Sequence, residues 1–201
     1  MTLRARGFRD TRVLAALEMA PRPRFVAPEH VELAYAERQL PLPCGQTMER
    51  PSLVAGVLEA LAVEPHHRVL EIGTGSGWTT AVLGSLARTV VSVERYRTLA
   101  NRASRVLATL PLGDVTVRLA DGTRALDAGA FDRIVAWGGV DDWPRTWLDA
   151  LAEGGVVVAP VGREGARSLV RRVQTRPAGL ETVVMSRARV PTLEQGLARA
   201  S

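Results

Sequence analysis

One stretch constrains this chain more than any other: Arg68 to Glu94, RVLEIGTGSGWTTAVLGSLARTVVSVE. An apolar strand, Arg68 to Ile72, runs into three glycines at alternating positions, Gly73, Gly75 and Gly77. A helical segment, Trp78 to Ala87, follows, and a second apolar strand, Thr89 to Val93, ends on Glu94. Glycines at such a turn let the backbone fold back tightly and approach a ligand with no Cβ in the way. An acid at the tip of the second strand can hold a ribose diol. Glu94 lies 21 residues beyond Gly73, near the roughly 20 typical of nucleotide-binding βαβ units. The unit is therefore expected to bind a nucleotide-like cofactor.

The spacing narrows the choice of cofactor. Dinucleotide sites carry G-x-G-x-x-G, with a pyrophosphate on the helix N-terminus. Here the pattern is G-x-G-x-G, with Glu71 two residues before the first glycine. An anion at that point suits a ligand with a cationic amino group and no phosphate, which describes S-adenosylmethionine. A nucleotide-type dehydrogenase is the alternative reading of the same unit.

At 201 residues and 46% hydrophobic, the chain can bury one sizeable core. It is expected to form a single domain, with residues 1–62 as a helical cap and substrate-side segment and 63–201 as the cofactor-binding core. Net charge is +5, and all 26 basic residues are arginine, scattered along the chain. That distribution reads as a solvated face and not as a nucleic-acid stripe. A single cysteine, Cys44, leaves no internal disulfide and suits a reducing cytoplasm. No apolar run reaches 18 residues and no signal-peptide pattern opens the chain, so a cytoplasmic protein with no membrane association, and a monomer, is expected. His66 and His67 lie in a polar turn, read as a solvated loop, with no ligand-spaced cluster beside them, so no metal is expected.

The pattern along the chain predicts an α/β architecture. Asp10 or Thr11 can cap a helix through Ala20, and residues 36–50 read as irregular. Pro51 suits the first turn of a helix through Leu61. After the βαβ unit come a helix over 96–110, strands Val115–Leu119 and Asp132–Ala136, and a helix from Pro144 to Ala152. Gly154 and Gly155 are read as a turn into strand Val156–Pro160. Two β-rich stretches, Ser168–Gln174 and Thr182–Arg189, can pair as an antiparallel hairpin. The sum is a doubly wound, mainly parallel, Rossmann-like sheet of about seven strands with an N-terminal helical cap. Ligands of such sheets bind beyond the carboxyl ends of the strands at the switch point, where 73–77, 94, 121 and 137 are expected to meet.

With these residues set out, the chain resembles the protein-L-isoaspartate (D-aspartate) O-methyltransferase family. RGFRDTRVLAALEMAPRPRFVAP is similar to the family's opening, and AYAERQLPLPCGQTMERP to its A-Y-x-D-x-x-L-P-I-x-x-G-Q-T-I-S-Q-P segment. VLEIGTGSGW, SVER, ADG, AFDRIVAW, LAEGGVVVAPVG and a late RVP follow in order. The resemblance implies methyl transfer from S-adenosylmethionine to the carboxylate of an abnormal aspartyl residue in a damaged protein or peptide. The ester then collapses to a succinimide, which allows repair. It also implies that Gln46 and Thr47 lie beside the methyl donor and acceptor, and that Gly73, Thr74, Gly75 and Gly77 cradle the methionine tail. Glu94 is assigned to the ribose and Asp121 to the adenine amino group, with Arg95 and Gly122 as further cofactor-binding residues. Ala120 and Gly138–Gly139 are milder departures, where the family carries a glycine and small alanines.

One departure bears on the acceptor. Glu49 stands where the family motif has a serine at the active centre, and so Glu49 joins Thr47 as a candidate catalytic residue. Two like charges about 5 Å apart at an effective dielectric of about 20 oppose each other by roughly 3 kcal/mol, on the order of a hundredfold in binding. Either Arg50 neutralises Glu49, or the glutamate is protonated or turned away, or the acceptor is not a carboxylate. In the last case Glu49 can act as a base on a hydroxyl or bind an amine.

Overall fold

The computed structural model describes residues 3–124, 129–175 and 179–198. After a 3-10 turn, Leu3–Arg6, the cap forms α1 (Thr11–Met19), whose N-terminus is closed as expected: the Asp10 side chain accepts from the Arg12 and Val13 amides. The segment expected to be irregular holds a miniature ladder, with β1 (Leu40–Pro41) antiparallel to β2 (Thr47–Met48). Next comes α2 (Pro51–Leu61), which opens on a proline with no N–H to leave unpaired. Its N-cap residue, Arg50, offers no side-chain bond. Glu37 supplies one from a distance, accepting Ser52 N at 3.2 Å and Ser52 Oγ at 2.6 Å.

The core alternates strand and helix: β3 (Arg68–Ile72), α3 (Trp78–Leu86), β4 (Thr89–Glu94), α4 (Arg97–Leu107), β5 (Asp114–Leu119), β6 (Phe131–Ala136) and α5 (Arg145–Asp149). It closes with β7 (Leu151–Val161), β8 (Ser168–Thr175) and β9 (Gly179–Arg187). Among the described residues these form a seven-stranded sheet in the order β5-β4-β3-β6-β7-β8-β9. Pairing is parallel from β5 to β7 and antiparallel through β8 and β9. The chain winds outward from β3 to β5, then returns to place β6 on the other side of β3. That reversal is the switch point, and it opens a crevice beyond the carboxyl ends of β3, β4 and β6.

Strand periodicity sends alternate side chains to opposite faces. Val69 joins the core under the helices, with Leu17 of α1, Leu58 of α2, Leu83 of α3 and Leu99 of α4. Leu70 and Ile72 join the opposite core, with Phe131, Ile134 and Trp147. Each such side chain, fully buried, contributes about 1.5–3 kcal/mol of apolar transfer. The same alternation puts Glu71 on the helix side, beneath α3. No helix among the described residues is long and apolar enough to cross a membrane.

Two expectations need correction. The helix expected to reach Ala152 stops at Asp149, and β7 starts at Leu151, before the glycine pair. Leu151 pairs with Phe131, but the next paired residue, Val156, faces Arg133. β7 thus carries extra residues that bulge out at Gly154, whose φ is 69°, and at Gly155, where a Cβ would meet Ala152 O at 2.6 Å. The glycines make a bulge inside a strand and not a turn before it. His67 is also not solvated: it is buried, its Nδ1 accepts the Glu64 amide at 2.8 Å, and burial pulls its pKa down. It fastens the turn before β3.

Candidate active site

Sequence placed three glycines at the mouth of β3, and all three adopt positive φ: 96° at Gly73, 53° at Gly75 and 85° at Gly77. The loop is tied to the end of β4, since Val93 O accepts Gly73 N at 2.8 Å and Thr74 N at 3.2 Å. Gly73 and Gly75 form part of the crevice wall. Gly77 faces elsewhere, packing so close to α4 that a Cβ would lie 3.0 Å from Ala103 Cβ.

Glu94, at the tip of β4, locks this loop. One carboxylate oxygen accepts Gly75 N at 2.9 Å and the other accepts Tyr96 N at 3.0 Å. The side chain is only 5% exposed and still forms part of the crevice wall. A carboxylate offers about four acceptor positions, so about two are left for a ligand. Ile72, Leu99 and Ala120 line the crevice beside it with apolar surface.

Glu71 does not meet the crevice. It is fully buried, and its oxygens accept from Thr79 Oγ1, Thr80 Oγ1, Ser92 Oγ at 2.7 Å and Trp137 Nε1 at 2.9 Å. Burial pushes its pKa up, against the pull of these four bonds. With its acceptor positions taken, Glu71 braces α3, β4 and the end of β6 behind the glycine loop. Direct contact with a cationic amino group is not what this geometry offers.

Asp121 is likewise committed. Thr123 N and Oγ1 donate to one oxygen, and Gly196 N donates to the other at 2.7 Å. Burial raises its pKa, but the Thr123 and Gly196 bonds together with Arg124 outweigh burial and hold it below the ordinary carboxylate range. Its neighbours Ala120 and Gly122 reach the wall.

The fourth side of the crevice was missed from sequence. A C-terminal strap, Pro191 to Glu194, lies across it. Gly139 N donates to Pro191 O at 2.8 Å and Leu193 N to Gly139 O at 2.7 Å, which fastens the strap to the loop after β6. Arg95 fastens its far end, by an ion pair with Glu194 and a 2.9 Å bond from Nε to Gly196 O. The only trace of this in the sequence is the late RVP motif, which does not reveal where the strap folds back.

On the remaining side, Gln46, Thr47 and Glu49 line the crevice, and Thr47 and Glu49 also bound a smaller pocket closed by Trp78 and Trp137. Gln46 Nε2 reaches Tyr96 Oη at 3.4 Å, joining the β1–β2 segment to the end of β4. Tyr96 is a wall residue that the sequence reading passed over. Glu49 Oε1 accepts Gln39 Nε2 at 2.6 Å. Burial pushes the Glu49 pKa up, opposed by Gln39, Arg50 and Arg22. Among the described residues no group of three or more His, Cys, Asp or Glu could hold a metal ion.

A protein-family model described as Protein-L-isoaspartate(D-aspartate) O-methyltransferase (PCMT) matches residues 1–194. This chain belongs to that family. Relatives named protein-L-isoaspartate O-methyltransferase include one from Rhodopseudomonas palustris (strain BisB18), 40% identical over 99% of this chain and 93% of its own length. Another, from Xanthobacter autotrophicus, is 45% identical over 95% of this chain and 88% of its own. A solved protein-L-isoaspartate O-methyltransferase superposes with a TM-score of 0.87 at 27% identity, covering 97% of this chain and 64% of that one. The fold also matches a Plasmodium falciparum structure in complex with S-adenosyl-L-homocysteine, with a TM-score of 0.84 at 19% identity over 96% of this chain and 94% of that one.

Within this methyltransferase, the role of Glu71 is directly testable. Glu71→Gln replaces one acceptor oxygen with a donor, which Thr80 and Ser92 can meet by rotating their hydroxyls, whereas Glu71→Ala leaves Trp137 Nε1 unpaired. The expected losses of stability are about 1 kcal/mol for glutamine and about 2–4 kcal/mol for alanine. Because the folded pKa is raised above 4.5, ionisation favours the unfolded chain. The stability contributed by the wild-type carboxyl is fully present below pH 4.5 and is lost as pH rises through the folded value. Glutamine does not titrate, so the gap between wild type and Glu71→Gln should narrow from pH 4.5 to 7. Denaturant unfolding at several pH values measures this.

Proposed function

We propose that this protein transfers a methyl group from S-adenosylmethionine to the carboxylate of L-isoaspartyl or D-aspartyl residues in damaged proteins or peptides, a repair reaction. The observation that carries the reading is the crevice at the switch point, with its glycine loop locked by Glu94 and its opposite wall made by Gln46, Thr47 and Glu49, the first two within the G-Q-T motif that marks this family. The chain is taken to work as one domain, with residues 1–62 as cap and substrate side and 63–201 as cofactor core. The residues present suit the cofactor. Gly73 and Gly75 leave room where side chains would stand, Glu94 has acceptor capacity to spare, and Ile72, Leu99 and Ala120 offer apolar surface to an adenine.

S-adenosylmethionine, when bound, supplies a methyl group already activated by its sulfonium. The chain's own task is mainly placement. A carboxylate with a reference pKa of about 4 is ionised at neutral pH and needs no base. Holding it in line and away from water accounts for most of the rate, since effective molarities of well-oriented groups are large. Thr47 and Gln46 are assigned to orient the acceptor, and Arg95 with the strap closes the ribose end.

Glu49 supports one competing reading. A half-buried glutamate with a raised pKa is suited to general-base work on a hydroxyl acceptor. Kinetics with labelled donor on an isoaspartyl peptide and its normal aspartyl twin separate the two. If the acceptor is the isoaspartyl carboxylate, wild type methylates only the first peptide and Glu49→Ser raises kcat/KM by up to about tenfold. That is less than the bare Coulomb figure, because Arg50 and Arg22 already offset the charge. If Glu49 is a base, no peptide is methylated, and the same substitution lowers turnover on the hydroxyl acceptor by about a hundredfold or more.

A further inference from the structure

The Tyr96 hydroxyl belongs to a residue of the crevice wall to which the proposed reaction gives no task. It is approached by two side chains that can only donate to it. Arg95 Nη1 donates to Oη at 3.2 Å, and a guanidinium has no acceptor to offer in return. Gln46 Nε2 donates to Oη at 3.4 Å, the longer and weaker of the two bonds. A side-chain amide can be turned either way round, but a second contact fixes this one. The same nitrogen donates to Cys44 O at 3.2 Å, and a carbonyl oxygen accepts only. The phenol oxygen is therefore filled as an acceptor, while its own proton has no acceptor among the described residues.

The arrangement is held from outside. Arg95 is pinned to the strap through Glu194 and Gly196 O, and its guanidinium lies 5.0 Å from the centroid of the Tyr96 ring. A cation donating to a phenol oxygen polarises the O–H bond, which makes its proton a better donor. The neighbouring wall group is Glu94, which accepts Tyr96 N at 3.0 Å and offers a ligand acceptor positions only. A carboxylate ligand can accept from Tyr96 but meets the like charge of Glu94. An amine can satisfy Glu94 but, once protonated, offers Tyr96 no acceptor. A hydroxyl serves both, donating to one and accepting from the other. We propose that Tyr96 binds the cofactor, its O–H donating to one ribose hydroxyl of S-adenosylmethionine while that hydroxyl donates to Glu94. The inference deepens the methyltransferase reading given above and rests on it.

Tyr96→Phe deletes the hydroxyl and strands neither donor, since Arg95 keeps Glu194 and Gly196 O and Gln46 keeps Cys44 O. By calorimetry the variant should bind S-adenosylhomocysteine about tenfold more weakly than wild type. The 2′-deoxy and 3′-deoxy analogues of that ligand locate the contact. Against the analogue that lacks the partner hydroxyl, the two proteins should bind within about twofold of each other; against the other analogue the tenfold gap should persist. A gap of one size with all three ligands means that Tyr96 only props the wall, and overturns the proposal. So does a Tyr96→Phe variant that binds S-adenosylhomocysteine as wild type does, whether or not its KM for an isoaspartyl peptide rises.

A second measurement leaves Tyr96 in place, and it decides the matter if Tyr96→Phe does not fold. The chain has two tyrosines, Tyr35 and Tyr96, so a carbon label at tyrosine Cζ gives two resonances, which Tyr35→Phe assigns. At saturation with S-adenosylhomocysteine the Tyr96 resonance should shift. One deoxy analogue should reproduce that shift and the other should not, although all three ligands carry the same adenine. Identical positions with all three overturn the role of Tyr96 alone. A wild-type protein that binds neither S-adenosylmethionine nor S-adenosylhomocysteine overturns the underlying cofactor reading instead.

Discussion

Glu94→Ala is expected to weaken binding of S-adenosylhomocysteine by at least about a hundredfold. The side chain has two jobs at once. It accepts Gly75 N and Tyr96 N, fixing the glycine loop against the start of α4, and it keeps acceptor positions in the crevice wall. Alanine strands two backbone amides, each worth about 1–3 kcal/mol when left unpaired, and removes the charge-assisted bonds assigned to the ribose, about 1.5–3 kcal/mol. Even a partial sum of about 3 kcal/mol exceeds a hundredfold in the dissociation constant. Glu94→Gln keeps one acceptor oxygen and should fall between, losing about tenfold. Calorimetry on the three proteins measures the series, and an alanine variant within threefold of wild type would remove Glu94 from the site.

Gly122→Ala is expected to lower both thermal stability and cofactor affinity. A Cβ built on Gly122 lies 2.4 Å from Ile72 Cγ2 and 3.4 Å from Ile72 Cβ. Ile72 has little freedom to yield. It is 1% exposed in the core on the α5 side of the sheet, and its carbonyl accepts Trp137 N at 3.0 Å. The side chain must leave its rotamer or move into the crevice that it lines. Overpacking of this kind costs about 1–3 kcal/mol. For a chain of this size about 2–4 °C is lost per kcal/mol, so a fall of about 3–10 °C in Tm is expected. Melting curves with and without S-adenosylhomocysteine separate the two effects: displacement of Ile72 into the crevice also shrinks the shift that ligand produces. A variant with both values unchanged would show that Ile72 has room.

The sequence by itself determined the βαβ unit at 68–94, the caps at Asp10 and Pro51, the antiparallel ending of the sheet and the positions of the glycine loop and Glu94. All of these rest on local rules: period-two alternation in strands, an acceptor or a proline at a helix start, and glycine where φ turns positive. The strand start at Leu151 was hidden because the Gly154–Gly155 bulge is specified by pairing with β6 and not by neighbours in the chain. Only the tertiary structure decided what the acids do. Glu71 looks the same in sequence whether it meets a ligand or a protein donor. Its four partners come from α3, β4 and the end of β6, and they use up its acceptor positions before any ligand arrives. Asp121 is held by Gly196, 75 residues away, and Arg95 by Gly196 across 101. Arg22 stacks its guanidinium 4.3 Å from the centroid of Trp78, 56 positions later in the chain. Burial and hydrogen-bond saturation are properties of the folded neighbourhood, and residues so far apart in the chain enter that neighbourhood only when the sheet and its strap close.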